Sequence, residues 1–264
     1  MTNDLMLKAY RIRCVELEIA RRYSSQRMRC PVHLSVGQEL NAVRICDAIE
    51  KDDYMVSTHR GHAHYLAKGG SLKKLIAELH GLPLGCSGGH GGSMHLVDWN
   101  VNFAGSTSIV AGTIPVGVGL AWASKLNKEN RVTVICIGDA AVEEGVFHEA
   151  ANFASLHKLP VIFYCENNRT SCYTDIRDRQ PSINIERFYG AHRFLDLFYD
   201  IKLNIPRARN LGPILVTVPA TRISEHCGPE IADIKDELSD FDPGPFKELI
   251  EREIKEAFEL CEQQ

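Results

Sequence analysis

Apolar and polar positions change period twice within the stretch Arg131 to Thr170, RVTVICIGDAAVEEGVFHEAANFASLHKLPVIFYCENNRT. Val132, Thr133, Val134, Ile135, Cys136 and Ile137 form an unbroken apolar and β-branched run, which predicts a strand buried on both faces. Gly138-Asp139 ends it. From Val142 the apolar residues recur at three- and four-residue steps, as Val142, Val146, Ala150, Phe153 and Leu156, with Glu143, Glu144, Glu149 and Asn152 between them, which predicts a helix. Leu159-Pro160 stops it, Val161 to Cys165 predicts a second buried strand, and Glu166-Asn167-Asn168 predicts a polar loop. Strand, helix and strand with short connections make a βαβ unit, so the two strands are expected to be parallel. Both then finish at one edge of the sheet, which brings Asp139 and Asn168 to the place where open α/β sheets bind ligands. A carboxylate and an amide oxygen suit a small hard divalent cation that keeps phosphate oxygens as its other ligands.

The rest of the chain extends this pattern. An apolar stripe at Met6, Tyr10, Cys14, Leu17 and Ala20, with Lys8, Arg11, Arg13 and Glu16 elsewhere on the helix, predicts an amphipathic helix over about 4–23. Tyr54 to Thr58 predicts a short strand that runs into His59-Arg60-Gly61-His62-Ala63-His64. Three histidines so close could serve a zinc hydrolase, but their spacing fits no common ligand motif. The stretch GCSGGHGGSMH, Gly85 to His95, could pass for a phosphate cradle, yet it matches neither phosphate-binding fingerprint and such loops are usually chain reversals. Small residues at Gly117, Gly119 and Ala121 predict a helix that packs closely on another element. Ile214 to Val218 predicts a further buried strand, with Arg222 and His226 in the loop after it, and Phe246, Leu249, Ile250, Ala257 and Cys261 predict a final helix over about 245–262.

Composition narrows the classes. A chain of 264 residues can bury one large core, and a single α/β domain over 1–264 is expected. A net charge of -4 with mixed signs gives no basic footprint for nucleic acid and no polybasic membrane segment. The most apolar stretch, Ile109 to Ala123, is too short to span a bilayer, and the first residues lack a basic leader, so a cytoplasmic protein is expected. The nine cysteines are scattered with no CxxC pair, which predicts free thiols.

Gly-Asp, a helix and then Asn-Asn at this separation is similar to the thiamine diphosphate motif. The text GDAAVEEGVFHEAANFASLHKLP and CENN resembles the α subunit of the two-chain 2-oxo acid dehydrogenase E1 components, the pyruvate and acetoin dehydrogenase group. The resemblance implies an α/β thiamine diphosphate-binding fold, a parallel sheet with helices on both faces, and the cofactors thiamine diphosphate and Mg2+. It implies Asp139, Asn168 and the backbone of Thr170 as metal ligands, Gly138, Asp139, Ala140 and Ala141 beside the diphosphate, and backbone groups of Ser108 and Val110 around the aminopyrimidine. Arg60 and Arg222 would hold diphosphate, with His59 in reach of it, and His33, His62 and His226 would act as catalytic groups. The family's activating glutamate comes from a β-type subunit, so an α2β2 assembly is implied, with a lipoyl-bearing acyltransferase as a candidate acceptor. The sequence departs from the family at Ala140, where glycine is common, and between Gly190 and Leu211, where about one strand is missing. The tail after Gly228 is also shorter, which leaves a non-catalytic scaffold as the other reading.

Overall fold

A computed structural model describes residues 2–180, 201–224, 226–232, 235–236 and 238–263. Of the shortened stretch between Gly190 and Leu211, residues 190–200 fall outside the described residues and Ile201–Leu211 is a helix. Five strands form the central sheet in the order β2-β1-β3-β4-β7: β1 (Tyr54–Ser57), β2 (Phe103–Ser106), β3 (Thr133–Gly138), β4 (Val161–Asn167) and β7 (Ile214–Pro219). β1 pairs with β3, β3 with β4 and β4 with β7, each in parallel. A small antiparallel ladder, β5 (Thr170–Ser171) with β6 (Thr174–Asp175), follows β4.

The chain divides into two compact units, each made of separate stretches. One comprises residues 1–46, 59–103 and 221–264, the other 47–58 and 104–220. In the second unit the strands read as continuous apolar runs because both faces are covered. Ile135 and Ile137 of β3, Val161, Phe163 and Cys165 of β4 and Leu215 of β7 share one core with α5 (Thr113–Leu126) and α6 (Gly145–Leu156). The alternate residues Val134, Cys136, Ile162, Tyr164 and Val216 are also buried, and α8 (Ile201–Leu211) packs on β4 and β7. Close packing of α5 depends on Gly117, where a Cβ would lie 2.6 Å from Ile135. Gly119 faces open space.

The first unit is mostly helical: α1 (Asn3–Tyr23), most of α2 (Glu39–Ala48), α3 (His62–Ala67), α4 (Leu72–Leu79) and α9 (Phe246–Glu262). α9 packs on α4 and α1, with Arg11 paired to Glu253 at 2.5 Å and the Arg22 guanidinium 4.6 Å above the Phe258 ring. The expected stripe on α1 is corrected. Its buried face is Ala9, Ile12, Val15, Glu16 and Ile19, and Leu17 is exposed. A buried carboxylate lies at the centre of that face. On α9 the buried side is Ile250, Ile254, Ala257, Phe258 and Cys261, while Phe246 and Leu249 are half exposed. All nine cysteines are free thiols. Among the described residues no helix is long and apolar enough to cross a membrane.

Candidate functional site

The parallel register puts the ends of β3 and β4 side by side, with Gly138 opposite Glu166. Asp139 follows β3 directly and Asn168 follows β4, as the period change implied. The helix expected from Val142 starts later. Residues Asp139–Glu143 form a 3-10 turn, Glu144 is extended (φ -73°, ψ 137°), and α6 begins at Gly145. Asp139 is therefore held in a tight turn, and only about 4% of its surface is exposed. Ala141 is buried, Ala140 is part-exposed, and a Cβ at Gly138 would meet nothing within 4 Å, so the backbone here has room for a bulky anion.

Beyond β4 the chain turns through two side-chain hydrogen bonds. Asn167 Oδ1 accepts from Arg169 N and Asn168 Oδ1 accepts from Thr170 N, both at 2.9 Å, and Arg169 takes a left-handed backbone (φ 64°). These bonds fix the amide oxygen of Asn168 and the peptide of Thr170 close together. At the Asp139 carboxylate the structure shows a group that sequence reasoning missed. Arg179 Nη2 lies 2.5 Å from Asp139 Oδ2, and the same guanidinium pairs with Glu143. Ser108 is part-exposed, and Ile109 and Val110 present half or more of their surface just before Ala111, whose φ is 62°.

In the first unit three imidazoles converge: the His33 and His59 ring centroids are 5.2 Å apart, His33 and His226 5.8 Å, and His59 and His226 6.0 Å. Arg60 is buried among them and gives the cluster its backbone frame. Its Nη1 donates to Leu34 O and its Nη2 to His226 O, both at 2.7 Å. Burial first, then the Arg60 guanidinium, pushes His33 down to about 4 and His59 to about 3, and lowers His226 by the same causes. Arg222 adds to the lowering of His59 and His226. Near neutral pH these rings are uncharged, so they accept protons and hydrogen bonds and do not act as cations. His33 Nδ1 is a buried nitrogen with no hydrogen-bond partner.

His62 does not join them. Its ring is wholly buried, with Nδ1 hydrogen-bonded to Glu16 Oε1 at 2.8 Å and Nε2 to the Ser93 hydroxyl at 2.9 Å. Ser93 Oγ accepts from His33 N at 3.0 Å and Glu16 Oε2 from Ser35 N at 2.9 Å. The ring expected as a catalytic group is thus placed inside the core with both nitrogens engaged, in a chain of hydrogen bonds that reaches the backbone of His33. His64 is buried too, pushed down to about 4 by burial alone. The zinc alternative thus finds its three histidines in three different surroundings, and among the described residues no group of His, Cys, Asp and Glu is arranged to hold a metal ion.

The glycine-rich loop is a cradle, but for the chain's own carboxylate. Glu78 of α4 accepts from Ser87 N (2.7 Å), Gly89 N (3.0 Å), Gly91 N (2.6 Å) and Gly92 N (3.1 Å). Gly89 and Gly92 reach this geometry with φ of 81° and 59°, which glycine adopts without strain. The amides that might have held a phosphate are already used. Glu16, Glu78, Ser93 and Arg179 were not singled out by the sequence. The signal available for Glu16 was an acid set between Ile12 and Ile19 on one helical face.

The donor set at the strand ends, a carboxylate that already holds a cationic guanidinium beside an amide oxygen and a carbonyl, fits a divalent cation carrying phosphate. Comparison with known proteins gives the family. Residues 7–188 match the family described as Dehydrogenase E1 component. The chain is 38% identical over 233 residues to the pyruvate dehydrogenase E1 component subunit alpha of Rickettsia bellii, covering 84% of this chain and 70% of that one. It is 42% identical over 157 residues to the mitochondrial pyruvate dehydrogenase E1 component subunit alpha-1 of Oryza sativa subsp. japonica, covering 60% of this chain and 40% of that one. The matched stretches thus span 70% and 40% of these relatives' own lengths, so the chain covers only part of them. A transketolase structure from Leishmania mexicana superposes over 100% of this chain and 45% of its own, with a TM-score of 0.64 at 17% identity, a likeness of fold alone.

Proposed function

The chain belongs to the dehydrogenase E1 component family, is similar to its α subunits, and on that footing we propose that it binds magnesium and thiamine diphosphate and serves in decarboxylating a 2-oxo acid or cleaving acetoin. The observation that carries the reading is the parallel register of β3 and β4, which delivers Asp139 and Asn168 to one sheet edge. In the second unit Asp139, Asn168 and the Thr170 carbonyl would hold the cation, the open backbone at Gly138 to Ala141 would receive phosphate and the Ser108–Val110 backbone the aminopyrimidine; in the first unit Arg60 and Arg222 offer guanidinium groups suited to phosphate. When bound, thiamine diphosphate supplies the carbanion stabilisation that such chemistry needs. His33 and His226, held uncharged by burial and by Arg60, would take up protons at their ring nitrogens, and His59 beside them would reach the phosphates. Glu16, His62 and Ser93, joined by hydrogen bonds to the His33 backbone, would position His33.

The reading further proposes a β-type subunit in an α2β2 assembly, and a lipoyl-bearing acyltransferase as acceptor. The test is calorimetric titration of magnesium and thiamine diphosphate into the chain, alone and co-expressed with a β-type partner. Saturable binding that tightens with the partner and disappears in Asp139→Ala is expected. Absence of binding in both samples would favour a scaffold without cofactor. Decarboxylation at a normal enzymatic rate by the single chain would overturn the need for a partner.

A further inference from the structure

The hairpin that begins with two of the cation-ligand candidates ends by covering the third. Asn168 leads into β5, Cys172 (φ 51°) turns the chain, and β6 passes into α7 (Ile176–Arg179), which Asp175 caps by accepting from Arg177 N at 2.8 Å. The return is fastened by Ile176 N donating to Arg169 O at 2.8 Å. It lays Arg179 against Asp139 and Glu143, and Gln180 Nε2 donates to Asp139 O at 3.1 Å and to Glu143 Oε1 at 2.7 Å. The pair is close to sealed: the side chains of Arg179 and Asp139 are 11% and 5% exposed.

A cation ligated by Asp139 approaches its oxygens to about 2.0–2.1 Å if it is magnesium. A guanidinium at hydrogen-bonding distance from the same carboxylate carries like charge into that space, so the two occupants exclude one another. Resting on the cation reading of Asp139, we propose that Arg179 is a resident competitor for the divalent cation at this carboxylate, so that the 170–180 hairpin sets the affinity of the site together with the ligands themselves. Glu143 is a second carboxylate for Arg179 and keeps the guanidinium anchored when the cation takes Asp139. The hairpin is then in one state with Arg179 on both acids and in another with Arg179 on Glu143 alone. A ligand that must first displace a competitor binds with an affinity reduced by the strength of that contact.

The experiment uses Mn2+ alone as the probe, with electron paramagnetic resonance of free Mn2+ as the readout, on the full chain and on Arg179→Met, Arg179→Lys and Asp139→Asn. Removing a charge-assisted contact of ordinary strength is expected to tighten Mn2+ binding by about tenfold or more in Arg179→Met. Arg179→Lys, which keeps the charge, is expected to stay nearer the parent, and thermal unfolding of each variant reports whether it is folded. Trypsin cleavage after Arg179 is expected to speed up when Mn2+ binds the parent chain. Mn2+ binding that is lost in Asp139→Asn but unchanged or weaker in Arg179→Met would overturn the competitor role and leave the cation reading standing. No Mn2+ binding in any chain, or equal binding in Asp139→Asn, would overturn both.

Discussion

Glu78→Gln changes one atom, and the geometry of the loop lets its cost be worked out. Oε1 accepts from Gly91 N and Gly92 N, and Oε2 accepts from Ser87 N and Gly89 N. Whichever oxygen becomes the amide nitrogen, two backbone N–H groups then face a donor. A hydrogen bond to a charged acceptor contributes about 1.5–3 kcal/mol, so two lost bonds cost about 3–6 kcal/mol, and the remaining two weaken as the charge disappears. The loop cannot shift to recover them, because it already sits against its neighbours: a Cβ at Gly85 would lie 2.2 Å from Glu78 Oε2 and one at Gly91 2.0 Å from His95 O. The upper bound is the free energy of letting residues 85–95 detach, after which water satisfies the amides. Urea unfolding should therefore show a loss of about 3 kcal/mol or more, and hydrogen exchange should show Ser87, Gly89, Gly91 and Gly92 opening locally. A variant within about 1 kcal/mol of the parent, with those four amides still slow to exchange, would refute the claim that the carboxylate organises the loop.

Three further outcomes follow from the geometry. Gly37→Ala is expected to cost about 3 kcal/mol or more in urea unfolding, because the position has φ of 93° and a Cβ would lie 2.3 Å from Thr221 O. Ser93→Ala strands His62 Nε2 and His33 N, two buried groups, and is expected to cost about 2–4 kcal/mol while leaving His59 and His226 untouched. Burial holds His64 at about 4, below its unfolded value, so its contribution is fully present above pH 6.5 and is lost as pH falls toward 4. The slope is about 1.4 kcal/mol per pH unit, and His64→Asn should flatten the stability profile by that amount between those limits.

The elements were legible where packing alone dictates the residue. β3 and β4 are buried on both faces and need nothing but apolar side chains, so their runs show in the text, and the break at Gly138-Asp139 shows with them. Legibility failed where a polar group is buried against a distant partner. Glu16 lies on the inner face of α1 because His62, 46 positions away, supplies a hydrogen bond there, and hydrophobic periodicity counts such a carboxylate as surface. Glu78 was hidden for the same reason, its four partners being backbone amides that no side-chain pattern reports. The start of α6 was misplaced because Val142 and Glu143 have helical composition yet belong to the 3-10 turn that presents Asp139. Arg179 could not be placed at all without the hairpin that turns it back.

The register of the sheet also implies an order of assembly. Thr133 meets Val161 across a single helix, whereas Tyr54 must find Thr133 after α3, α4, β2 and α5 have been made in between. Closing the shorter loop costs less chain entropy, so β3, α6 and β4 are expected to form the nucleus, and pulsed hydrogen exchange would read this as β3 and β4 amides protected ahead of those of Met55 and Val56. During synthesis β1 leaves the ribosome well before β3, so that edge waits unpaired, with three residues, Met55, Val56 and Ser57, that end wholly buried. A strand of only four residues, Tyr54 to Ser57, keeps that waiting edge short and limits what it can recruit from neighbouring chains.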